Sequence, residues 1–173
     1  MELDSFGHRR HSIRLLHYDY AQAGAYFITL CVQNRVCLLG EIENGAMRLS
    51  DAGLMVADEW VRTAALRSNI GLDEWVVMPN HLHGILVITE SRCGGVLPYA
   101  PTFRSPSQTI GAIVRGFKSA VTKRINEFRQ TPCEKLWQRN YHEHIVRDDA
   151  DLARIREYIR YNPAQWDKDS LHP

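Results

Sequence analysis

The 173-residue sequence predicts an α+β domain, an antiparallel sheet with helices packed on one face, and three observations lead there. Short runs rich in β-branched and aromatic residues alternate with longer segments whose apolar residues recur at helical spacing. Turn-favouring pairs, Asn44-Gly45 and Pro79-Asn80, sit between strand-like runs. A hydrophobic content of 45% is enough at this length for one buried core without disulfides or a structural metal.

Tyr26 to Gln33, after Gly24, reads as a buried first strand. Leu38 to Leu49 reads as two short strands around the Glu43-Asn44-Gly45 turn. Ser50 offers an N-cap to a helix from about Asp51 to Arg67, with Leu54, Ala57, Trp60, Val61, Ala64 and Ala65 at helical spacing. Asp73 to Pro79 and His81 to Thr89 are two strands turning at Pro79-Asn80, hence antiparallel neighbours. Residues 90–106, with Gly94-Gly95, Pro98, Pro101 and Pro106, read as a long loop. Ser107 to Gln130 is an amphipathic helix with Ile110, Ile113, Val114, Phe117, Val121, Ile125 and Phe128 on its apolar face. Leu136 to Val146 supplies a last strand, and Asp148-Asp149 introduce a helix over Asp151 to Asn162 that Pro163 ends. This order suggests a ferredoxin-like sheet plus a C-terminal helix. The whole of 1–173 reads as one domain, with 1–12 a flexible N-terminal segment.

No apolar run reaches about 18 residues, and Met1 to Arg14 is charged, with no apolar signal region, so a soluble cytoplasmic protein is expected. The four cysteines, Cys31, Cys37, Cys93 and Cys133, form no C-x-x-C pair and read as free thiols. Net charge is only +1, but the basic residues concentrate late. Between Arg104 and Arg139 stand Arg115, Lys118, Lys123, Arg124, Arg129 and Lys135, against Glu127 and Glu134. This is either a solvated helix face or the footprint of an anionic partner.

His81-Leu82-His83 is the sharpest local signal for chemistry. Alternate residues of a strand share a face, so two imidazoles converge on one metal ion or form a polar sheet-edge pair. Gly84 beside them permits close approach. Tyr158 and Asn162, at i and i+4 on the last helix, share a face while Leu152, Ile155 and Ile159 pack inward, giving a nucleophile with an amide ligand or a packing tyrosine with a helix-ending residue.

Taken together, Trp75-Val-Val-Met-Pro-Asn-His-Leu-His-Gly84, Phe117-Lys118-Ser119, Leu136 to Arg147 and Glu157-Tyr-Ile-Arg-Tyr-Asn-Pro163 resemble the REP-associated tyrosine transposases of the single-tyrosine HUH endonuclease superfamily. The resemblance runs from about Arg9 to Trp166. It implies a metal-dependent single-stranded DNA endonuclease and strand transferase that acts in DNA transposition and recombination on hairpin-forming palindromes, through a 5′-phosphotyrosine intermediate. It also implies Tyr158 as nucleophile, in preference to Tyr141 or Tyr161, and His81 and His83 as ligands for Mg²⁺ or Mn²⁺. Related insertion-sequence transposases carry Gln where this chain has Asn162, one methylene shorter, and His144 competes with it as third ligand. Arg115, Lys118, Lys123, Arg124, Arg139 and Arg147 are candidates for gripping the DNA backbone. Trp137, Phe103 or Tyr99 are candidates for stacking on unpaired bases. The expected partner is single-stranded or hairpin DNA, with no membrane, for a monomer or homodimer. The alternatives are a catalytically retired DNA- or RNA-binding module and a hydrolytic metal-dependent phosphoesterase.

Overall fold

The computed structural model describes residues 22–89 and 109–173. The 1–12 segment, the 90–106 loop, Cys93, Tyr99, Phe103 and Arg104 lie outside the described residues. Among those described, the sheet contains strands β1 (Gly24–Cys31), β4 (Ile70–Met78), β5 (His81–Ile88) and β6 (His142–Ile145). They lie antiparallel in the order β4-β5-β1-β6, the order expected of a ferredoxin-like fold. A separate hairpin, β2 (Gly40–Glu43) and β3 (Ala46–Leu49), turns at Asn44 and Gly45, which have φ of 52° and 75°. These are the two left-handed positions of a type I′ turn, which Asn-Gly supplies at low steric cost.

Helices α1 (Asp51–Ala65) and α2 (Ile110–Arg129) cover one face of the sheet. Ser50 caps α1 by accepting from Gly53 N–H at 3.2 Å, and Thr109 caps α2 by accepting from Ala112 N–H at 3.2 Å, each satisfying an otherwise orphan donor. On this face Tyr26, Ile28 and Leu30 of β1 and Leu82, Leu86 and Ile88 of β5 meet Val56 and Trp60 of α1 and Ile113, Phe117 and Val121 of α2. Helix α3 (Asp149–Tyr161), capped by Asp148, covers the opposite face. There Ile155 and Ile159 pack with Ile85, Phe27 and Val76. The sheet is therefore sandwiched, with the last helix alone on the side to which His81 and His83 point.

Three expectations change. Leu54 and Val61 of α1 and Phe128 of α2 are exposed, and the inward face of α1 instead holds Val56, Glu59, Trp60 and Thr63. Apolar spacing misphased α1 because one inward residue is a carboxylate: Glu59 is neutralised by Arg62 at 2.9 Å and Arg124 at 2.7 Å. The last strand spans only four residues, since Leu136 and Trp137 are buried in a segment that touches the sheet through one bridge, Val32 to Trp137. Gly84 makes room for Trp60, on the face away from the histidines. The described cysteines Cys31, Cys37 and Cys133 are free, and no described helix is long and apolar enough to cross a membrane.

A Cβ on Gly84 would stand 2.6 Å from Trp60 Cζ2. Because Trp60 is fully buried and packs edge-on to Phe117 at 5.2 Å, its ring has nowhere to go. Gly84→Ala is expected to lower stability by about 1–3 kcal/mol, read from the urea midpoint; an unchanged midpoint would show that this contact yields freely.

Candidate metal and nucleophile site

The β1–β5 register builds the site. Thr29 stands opposite His83 and Cys31 opposite His81, so the odd-numbered residues of both strands share the face under α3. His81 and His83 are buried, with ring centroids 4.4 Å apart. His83 Nδ1 is 2.8 Å from Thr29 Oγ1, and its ring stacks on Phe27 at 5.4 Å. Its Nε2 lies 3.2 Å from the Tyr158 hydroxyl. Phe27 also meets the Tyr158 ring edge-on at 6.1 Å, so one aromatic side chain seats both groups.

Past α3 the chain makes a 3₁₀ turn over Pro163–Lys168 and places Asp169 against His81. His81 Nε2 and Asp169 Oδ2 are 3.7 Å apart. Among the described residues, His81, His83 and Asp169 form a group whose ligand atoms all lie within 4.8 Å of one another. His81 Nε2, Asp169 Oδ2 and Asn162 Oδ1 are buried with no hydrogen-bond partner. Unpaired buried polar atoms are costly, and two of these belong to the two-histidine, one-carboxylate set, whose donors fit a divalent metal.

Burial pushes the His81 imidazole down to about 4, against the opposing pull of Asp169. Burial, with lesser contributions from His81 and His142, holds His83 well below the usual histidine value. Both are thus neutral near pH 7, the form that binds metals. Half-burial, and then the charge of Asp169, raise the Tyr158 phenol above its usual value, while a hydrogen bond from Asn162 acts in the opposite sense.

The structure brings His81, His83, Tyr158 and Asn162 together. It directs His144 elsewhere: its Nε2 is 2.7 Å from Asp151 Oδ2, outside the ligand group. Tyr141 lines the same cleft as Tyr158, a space of about 620 Å³ that also includes His142, His144 and Arg154. Tyr161 points to another hollow, beside Arg156 and Arg160. Asp169 escaped the sequence reading because it follows the helix-ending Pro163 and its return to His81 is a tertiary event. Asn80 was read only as a turn residue. Thr29 and Phe27 were readable, in principle, from strand alternation had the pairing register been known.

The basic candidates divide. Arg115, Lys123, Arg139 and Arg147 are exposed. Lys118 instead donates to the carbonyls of Gln138 at 2.9 Å and Asn140 at 3.1 Å, and burial pulls its ammonium down to about 8. Two other candidates are engaged within the protein. Arg124 is held by Asp58 and Glu59 at 2.5 and 2.7 Å, so its charge is already spent between α1 and α2. Trp137 is only 7% exposed and packs against Phe117, offering no face to a base.

No family model matches the chain. An uncharacterised protein of Haemophilus influenzae is 43% identical over 171 residues, covering 95% of this chain and 94% of that protein. A second protein of that organism, described as a "putative REP-associated tyrosine transposase", is 24% identical over 89% of this chain and 83% of its own length. Among solved structures, a REP-associated tyrosine transposase bound to a REP hairpin superposes with a TM-score of 0.62 at 19% identity, covering 89% of this chain and 74% of that one, a likeness of fold. With the W-V-V-M-P-N-H-L-H strand pair and the Tyr158 helix facing one another on one side of the sheet, the chain resembles the REP-associated tyrosine transposases in fold and in motif.

Proposed function

We propose that this protein is a transposase that cuts and rejoins single-stranded DNA beside hairpin-forming palindromic repeats, with Tyr158 as nucleophile and His81, His83 and Asp169 as the ligand set for Mg²⁺ or Mn²⁺. The observation that carries the reading is the Tyr158 hydroxyl 3.2 Å from His83, at the rim of a buried His-His-Asp group and open to a cleft of about 620 Å³. The hairpin in the fold relative's structure supports the substrate class.

When bound, the metal would supply Lewis-acid polarisation of the scissile phosphate. The chain's own residues do the rest. Tyr158 Oη forms a bond to phosphorus as the bond to the 3′ oxygen breaks, and the bond energy is kept in a phosphotyrosine that a free 3′-OH can reverse. Asn162 aligns the phenol by its side-chain hydrogen bond and keeps a free carbonyl oxygen at the site. Arg115, Lys123, Arg139 and Arg147 remain available for phosphates, a sequence-independent contribution that falls with salt. Residues 1–173 act as one domain in this reading.

Tyr158→Phe should abolish both cleavage and the covalent adduct on a labelled hairpin with a single-stranded flank, seen on a denaturing gel, while Tyr141→Phe and Tyr161→Phe keep the adduct. Cleavage by the wild type should rise with pH from neutrality upward, because the raised phenol is almost wholly protonated there. Cleavage without an adduct would point to water as nucleophile and end the tyrosine reading.

Asp169→Asn should weaken Mn²⁺ binding about tenfold or more, and His144→Ala should leave it within about threefold; the reverse order would reinstate His144 as the third ligand. Since burial already holds both imidazoles neutral, protons compete with the metal only well below the ordinary histidine pKa of about 6.5. Mn²⁺ affinity measured by calorimetry should therefore stay nearly level from pH 8 to about pH 6. A steep loss across that range would refute the neutral-histidine site.

A further inference from the structure

We infer that Asn80 is a positioning residue that fixes the tautomer of His81, leaving the lone pair of Nε2 turned toward His83 and Asp169, and that the same amide ties down the segment carrying Asp169. The inference rests on reading His81 as a ligand and adds what makes it one.

Asn80 is only 1% exposed, so its amide must find partners inside the protein. Its Nδ2 donates to the carbonyls of Arg35 at 3.1 Å and Leu171 at 2.8 Å, using both amide hydrogens. Flipping the amide would set its oxygen against two carbonyl oxygens, so the orientation is dictated by the network. Oδ1 therefore faces His81 Nδ1 at 2.7 Å. An amide oxygen can only accept, so the His81 proton resides on Nδ1 and Nε2 is left unprotonated. That Nε2 is the buried, unpartnered atom 3.7 Å from Asp169 Oδ2. Without Asn80 the carboxylate would be the nearest acceptor, and it would draw the proton to Nε2, blocking the ligand position.

The second hold is on the C-terminal segment. Leu171 accepts from Asn80 through its carbonyl, while its N–H donates to Asp169 Oδ1 at 2.7 Å. One buried amide thus sets a histidine tautomer and anchors the residue that orients the carboxylate, leaving Asp169 Oδ2 for the site. The turn is itself pinned, since Val32 N–H donates to the Asn80 carbonyl at 2.8 Å. A residue serving only the turn would need none of the side-chain contacts.

The test is a long-range proton–nitrogen NMR correlation on metal-free protein with labelled histidine, about one unit above the ordinary histidine pKa of about 6.5. His81 signals are assigned by their loss in His81→Gln. Wild-type His81 should carry its proton on Nδ1, and Asn80→Asp, which keeps an acceptor for Nδ1–H, should preserve that state while amide exchange at Leu171 speeds up. Asn80→Ala should populate the Nε2–H form and weaken Mn²⁺ binding about 10- to 100-fold. Wild-type protein with the proton on Nε2 overturns the inference without any variant, as does Asn80→Ala that folds and keeps His81 wholly Nδ1–H. If Asn80→Ala does not fold, the wild-type and Asn80→Asp spectra decide. The tautomer is read without DNA, so an Nδ1–H His81 in a protein that forms no DNA adduct counts against the proposed activity and still supports the role of Asn80.

Discussion

The antiparallel pairing of β1 with β5 governs the placement of every group at the site. Its register sets Thr29 against His83 and Ile28 against Gly84, and because side chains alternate, a slip of one residue would send both histidines into the helix-covered core. Core packing opposes that slip. Trp60 lies against Gly84, where any side chain would collide, and Leu82 and Leu86 fill the space on either side under α1 and α2. The hydrophobic layer on one face thus determines which chemistry appears on the other.

Helix α3 is seated differently. Its buried apolar contact is small, Ile155 and Ile159 with part of Leu152 against Ile85 and its neighbours. Polar contacts supply the rest of its placement. At the irregularity in the β4–β5 ladder between Leu72 and Trp75, Asp73 and Glu74 both reach arginines of α3. Arg156 grips both carboxylate oxygens of Asp73 through Nε and a terminal nitrogen at 2.8 and 2.5 Å, and Arg160 directs its Nε and a terminal nitrogen onto the single oxygen Oε1 of Glu74. Exposed pairs of this kind add little stability, but two planar guanidinium groups anchored four residues apart restrict the rotation of the helix. Tyr158, between them in sequence and on the cleft side, is thereby turned to His83.

Desolvation shapes the electrostatics of the site more than charge does. His81 and His83 are neutral because they are buried, even though Asp169 favours the charged form of His81. A neutral imidazole pair beside a carboxylate, with three polar atoms left unpaired, is an arrangement that folding alone would not favour. Such local conflict is common where a protein keeps atoms free for a ligand.

Local signals settled much of this protein before folding. Asn44-Gly45 dictated the hairpin, Ser50 and Asp148 the helix starts, Pro163 the end of α3, and strand alternation the shared face of His81 and His83, because each depends on backbone sterics within a few residues. The family resemblance singled out Tyr158 by its motif. Only the tertiary structure decided the rest. Glu59 faces inward because its partner Arg124 is far away in sequence, Trp137 is buried because its segment folds over Phe117, and Lys118 is occupied by carbonyls twenty or more residues away. Asp169 reaches His81 only because the chain turns back after α3, and Asn80 controls His81 only because Arg35 and Leu171 arrive to orient its amide. Ligand sets and tautomers depend on which distant groups meet in a place without water, and that is a property of packing that no local pattern encodes.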